Sequence, residues 1–106
     1  MTGMETLHYQ LPGGHRIGDF EPVLVGVVAS GNLEVMLEPS AEGGCAFHIE
    51  TSAHGFGNIW EAVVRDFHRR HELAGVSVSV NDMGATPAVV SLRLDQAVCM
   101  LPGAPS

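Results

Sequence analysis

Among the side chains able to ligate a metal or attack an electrophile near neutral pH, six histidines and two cysteines invite the first look. His8, His15, His48, His54, His68 and His71 are scattered, and no pair shows the i, i+4 spacing around a glutamate that makes a helical zinc site. They read as surface or partly packed side chains. Cys45 and Cys99 are too few and too far apart for a disulfide scaffold or a zinc cluster, which points to a reduced, cytosolic protein. A Cys-His nucleophile pair has no local support either, because Cys45 fits a core-facing strand position and Cys99 lies near the end of the chain. Gly55-Phe56-Gly57 and Leu11-Pro12-Gly13-Gly14 are glycine-rich, yet neither has the spacing and lysine of a phosphate-cradling loop. All five basic residues are arginines, so Schiff-base chemistry and biotinyl- or lipoyl-lysine attachment are excluded by inventory.

What remains is a hydroxyl. Ala29-Ser30-Gly31-Asn32 separates two apolar runs, Val23–Ala29 and Leu33–Glu38, in the manner of a hairpin joined by a short Gly/Asn turn. A serine in such a turn can serve turn geometry alone. It is also raised between rigid strands within reach of a modifying enzyme, and Gly31 lets a large group approach. The seven acids of residues 1–53, opposed only by Arg16, concentrate negative charge in the half that holds this hairpin. That charge reads either as a solvated face or as a docking surface for a basic partner, with Glu34 and Glu38 the nearest candidates.

The elements that must position the turn follow from periodicity. Glu5–Leu11 alternates as a strand, and residues 12–21 read as a polar loop. Val23–Ala29 is β-branched and apolar on both faces, which predicts a central strand. Leu33, Val35 and Leu37 share one side of the next strand, and Cys45, Phe47 and Ile49 predict a third in the same sheet. Phe56, Ile59, Trp60, Val63, Val64 and Phe67 form an amphipathic helical stripe, with Asn58 as its cap, basic residues at its end and Gly75 as its stop. Val76, Val78 and Val80 alternate as a strand. Residues 87–98 fit strand alternation or helix, and Thr86-Pro87, with Val90, Leu94, Ala97, Val98 and Leu101 spaced along one face, favours the helix.

The expected fold class is α+β: a small, largely antiparallel sheet with two helices packed on one face. The 106 residues make a single domain, with 1–3 and 102–106 as flexible ends, and Met4 competes with Met1 as the start. A net charge of −7 and six aromatics argue against nucleic acid, and no apolar run approaches the ~20 residues of a membrane span or follows a basic start as in a signal peptide.

Val25-Gly-Val-Val-Ala-Ser30-Gly-Asn-Leu-Glu-Val-Met36 resembles the turn of the acyl carrier (delta) subunits of malonate decarboxylase. Met4–Tyr9, Gly55-Phe56 with Ile59-Trp60, and Asn81–Val90 resemble the same family's start, helix and C-terminal signature. The citrate lyase carrier (gamma) subunit is similar over the hairpin, with an acidic residue typical where this chain has Asn32. The resemblance implies that Ser30 carries 2'-(5''-phosphoribosyl)-3'-dephospho-CoA through a phosphodiester, with Gly31 providing turn shape and access. It implies a non-catalytic carrier whose arm holds acetyl or malonyl as a thioester, while partners decarboxylate malonate to acetate. Those partners are the acetyl/malonate carrier transferase subunit, a carboxy-lyase subunit pair, a prosthetic-group transferase and a malonyl transferase. The only Ser-Leu, Ser91-Leu92, follows Val90, so the Asp-Ser-Leu of four-helix acyl carriers is missing and that fold is not expected. Two rival readings are an unmodified binding module and a small cysteine-dependent enzyme.

Overall fold

The computed structural model describes residues 4–26 and 31–102. The expectations for residues 1–3, for the strand continuing over 27–29, for Ser30 at the turn and for 103–106 lie outside them.

Five strands form one sheet in the order β1-β5-β7-β4-β3, where β1 is Glu5–Leu11, β3 Val23–Gly26, β4 Leu33–Pro39, β5 Cys45–Thr51 and β7 Val76–Asp82. The helices are α1, Gly57–His71, and α2, Pro87–Cys99. Strict alternation drives the layering. Leu33, Val35 and Leu37 of β4, Cys45, Phe47 and Ile49 of β5, and Val76, Val78 and Val80 of β7 are all buried on one face. Register places Val35 beside Val80 and Val80 beside Ile49, so these rows merge into a continuous apolar layer. Onto it pack Trp60, Val64 and Phe67 of α1 and Val90, Leu94, Ala97 and Val98 of α2, all within one core cluster. The opposite face presents Glu34, His48, Ser77 and Ser79 and carries no helix.

Residues 87–98 are helical, started by Thr86, whose hydroxyl accepts from Val89 N at 3.3 Å. Several expectations are corrected. β3 is an edge strand paired only with β4, and Leu24 is 56% exposed. A run apolar on both sides marks a central strand where both faces of a sheet are covered; here only one is, and the central position goes to β7 with its alternating valines and polar residues. The expected α+β class with a largely antiparallel sheet holds: three of its four pairings are antiparallel, and β5–β7, with α1 in the crossover, is parallel, which makes the sheet mixed.

At the start of α1 the N-cap is Phe56, without a side-chain cap, rather than Asn58, which lies inside the helix. The helix closes at Glu72, in the left-handed region at φ 47°, and not at Gly75. Between them a two-residue strand β6, Leu73–Ala74, pairs in parallel with β2, His15–Arg16, inside what reads as plain loop. The two helices are clamped by Arg70 Nη1 and His71 Nε2, 2.7 and 2.9 Å from Asp95 Oδ1.

Candidate functional site

The β3–β4 hairpin brings its turn to the end of the sheet where β7 finishes and α2 begins. Gly26 opposes Glu34 as the last β3–β4 pair among the described residues, and Leu33 opposes Asp82 across to β7. Gly26 has φ +94°, and a Cβ there would collide with the Leu33 carbonyl oxygen. On the far side Gly31 has φ +76° and nothing within 4 Å of where a Cβ would stand. It is therefore a glycine required by backbone shape and open to approach.

The turn is held by more than its own strands. Gly31 N donates to the Met83 carbonyl at 2.7 Å, and Met83 N donates back to the Asn32 carbonyl at 2.9 Å. Asn32 Oδ1 accepts from Leu33 N at 2.8 Å and faces Arg93 Nη2 at 3.4 Å. The Met83 segment is in turn fixed by Asp82, only 2% exposed, whose Oδ2 accepts from Thr51 Oγ1 at 2.8 Å and whose Oδ1 accepts from Ala85 N at 2.9 Å. Next to it a cleft of about 240 Å³ opens between the first turns of the helices, lined by Phe56, Ile59, Trp60, Val63, Ala85 and Val90. Trp60 and Val90 are buried, whereas Phe56 and Ile59 are 46% and 44% exposed. The N-terminal end of the predicted stripe is thus uncovered.

Glu34 and Glu38 project on the helix-free face of β4, half-buried beside Asn81 and Ser77, and take part in no ion pair among the described residues. The structure brings Gly31 and Asn32 together with Met83 and Arg93, which the sequence reading did not single out as site residues. A signal for Met83 lies in Asn81-Asp-Met-Gly84, noticed only as a family signature; for Arg93 it is that α2 has no other basic residue.

The remaining candidates disperse. His8 and His48 meet edge-on on the open face with ring centroids 4.5 Å apart, His68 reaches the Pro12 carbonyl at 3.2 Å, and no group of three potential ligands forms a metal site among the described residues. Cys45 is buried, and burial pushes its thiol up to about 12, which makes it a poor nucleophile; Cys99 is exposed at the end of α2. No helix among the described residues is long and apolar enough to cross a membrane.

Comparison with known proteins gives this geometry a context. Residues 21–101 match the family model described as malonate decarboxylase delta subunit. A malonate decarboxylase acyl carrier protein of Burkholderia cepacia is 69% identical over 96 residues, covering 91% of this chain and 89% of that protein. One from Stenotrophomonas maltophilia (strain R551-3) is 58% identical over 102 residues, covering 94% and 96%. Among solved structures, a chain of a Pseudomonas malonate decarboxylase hetero-tetramer in complex with malonate superposes with a TM-score of 0.79 at 36% identity, over 89% of this chain and 95% of that one. A hairpin turn laced to the sheet's end and these relatives define the class, an acyl carrier subunit. Within it, the chain belongs to the malonate decarboxylase delta subunit family.

Proposed function

We propose that this chain presents acetyl and malonyl groups to the other subunits of a malonate decarboxylase, on a 2'-(5''-phosphoribosyl)-3'-dephospho-CoA arm joined to Ser30 by a phosphodiester. The observation that carries the reading is the Gly31-Asn32 end of the hairpin, exposed at Gly31, with an open approach and a backbone tied to Met83. Such a site fits a bulky anionic substituent, because nothing in the described turn crowds it. When bound, the group supplies a thiol whose thioester carbonyl can accept the electrons released on loss of carbon dioxide.

The chain's own residues supply presentation. β3 and β4 flank the turn, and Met83, fixed by Asp82, anchors its Gly31-Asn32 end to the sheet, beside which the arm would swing. Glu34 and Glu38 offer charge to basic surfaces on the partner subunits, strong enough to steer encounter and weak enough for release. We assign those partners to the transferase, carboxy-lyase and prosthetic-group-transfer activities that such a cycle requires, and the whole cycle to the cytoplasm. The protein itself need contribute no acid, base or nucleophile.

Intact mass of the chain isolated from its native host tests the reading. A mass increment equal to the phosphoribosyl-dephospho-CoA group, absent from Ser30→Ala, is expected. The substitution should leave melting within about ±0.5 kcal/mol of the parent, since the sequence puts Ser30 in a polar turn and serine to alanine removes only a hydroxyl. An unmodified parent would favour a plain binding module, and a modified Ser30→Ala protein would move the site elsewhere.

A further inference from the structure

The chain has five arginines and no lysine to set against twelve acids. Among the described residues Arg65 pairs with Glu61, Arg69 with Asp66, and Arg70 with Asp66 and Asp95. Arg16 lies at the opposite end of the sheet, beside Gly75. Arg93 has no carboxylate partner among the described residues, although the protein around it is strongly acidic. Its position is specific. A Cβ on Gly26 would stand 3.4 Å from Arg93 Cδ, and Arg93 Nη2 lies 3.4 Å from Asn32 Oδ1. The side chain therefore reaches both Gly26 and Asn32, and Ser30 lies between them in sequence.

The hydrogen-bonding of the guanidinium is incomplete. Nη1 donates to Gln96 Oε1 at 3.1 Å, the 3.4 Å approach to Asn32 is long for a hydrogen bond, and Nε is buried with no partner. An orphaned donor on a permanently charged group is costly in the free protein and inexpensive to satisfy with an anion. A phosphodiester presents two non-bridging oxygens that match the planar fork of a guanidinium. It also adds negative charge to a chain already at −7.

We propose that Arg93 binds the phosphodiester at the root of the arm, a reading that rests on the attachment at Ser30. Arg93 then orients the first link of the arm and offsets its charge, and its contact with Asn32 sets the guanidinium in place beforehand.

The test uses the full chain and its Ser30→Ala, Arg93→Gln and Arg93→Lys variants, each incubated with the prosthetic-group transferase and its activated donor. Loading is followed by intact mass, the purified loaded chains by 31P NMR without any partner, and the apo chains by melting. Arg93→Gln should load about tenfold more slowly, in line with loss of a charged hydrogen bond, and its phosphodiester resonance should move away from the parent's. Arg93→Lys should recover part of both, with apo melting unchanged. Parent rate and parent 31P shift in Arg93→Gln would overturn the proposal while Ser30 attachment stood. Slow loading that tracks an equal loss of apo stability, unrecovered by lysine, would also overturn it and make Arg93 a strut of the hairpin. A parent chain that gains no mass on Ser30 would instead defeat the attachment reading on which the proposal rests.

Discussion

Gly31 combines two properties that are separable by substitution. Its φ of +76° is a conformation that a β-branched residue adopts only with strain, and the space around its missing Cβ is empty. Gly31→Val should therefore cost about 1–3 kcal/mol through the backbone alone, read as a drop in melting temperature of the apo chain. Loading of Ser30 should slow in parallel; unchanged stability and loading together would contradict the turn described here. This glycine was legible from its neighbours, since a Ser-Gly-Asn break between two apolar runs signals a tight connection. Arg93 was not. The sequence shows it as the lone basic residue of α2, but its approach to Asn32 and its lack of a carboxylate partner among the described residues come from tertiary packing. Phe56 and Ile59 failed in the opposite sense: their spacing belongs to the buried stripe of α1, but the stripe extends beyond the sheet and helix that could cover it.

Among the elements, α1 and α2 are joined by polar as well as apolar contacts, and the polar clamp responds to pH. Partial burial works to raise the Asp95 carboxyl, and the hydrogen bonds from His71 and Arg70, with the charge of Arg70, outweigh it and hold the group below its ordinary value of 3.8. A carboxyl whose folded value is lowered stabilises the fold above its unfolded value and loses that contribution as pH falls through the folded one. Asp95→Asn should accordingly destabilise the chain by ~0.5–1 kcal/mol at neutral pH, the screened magnitude for a half-exposed pair. The gap between variant and parent should be full above pH 3.8 and begin to narrow below it, as pH falls toward the lower folded value. Melting of both proteins from pH 7 to pH 3 measures this, and a constant gap would remove the clamp from the account. Element type was readable along most of the chain because alternation and helical spacing are local. Strand order was not, because the choice between β3 and β7 for the centre depends on which sheet face the helices cover.

For the whole molecule, one core cluster contains side chains of both helices and of all five strands of the main sheet. No apolar seam divides it. The apo chain should unfold in one cooperative step, with Trp60 fluorescence, which reports the α1 side, coinciding with far-UV circular dichroism, which reports every element. Two separated transitions would show that the hairpin and α2 form a unit apart from the rest.

The reciprocal bonds between Gly31, Asn32 and Met83 also have a mechanical meaning. A bare hairpin pulled at its tip would peel open rung by rung, like a zipper. Here tension on residue 31 passes through two antiparallel bonds into Met83, the residue immediately following β7, the strand at the middle of the sheet. The turn is thus tethered to the most deeply embedded strand, and a tug transmitted along an attached chain meets several bonds loaded together rather than one at a time.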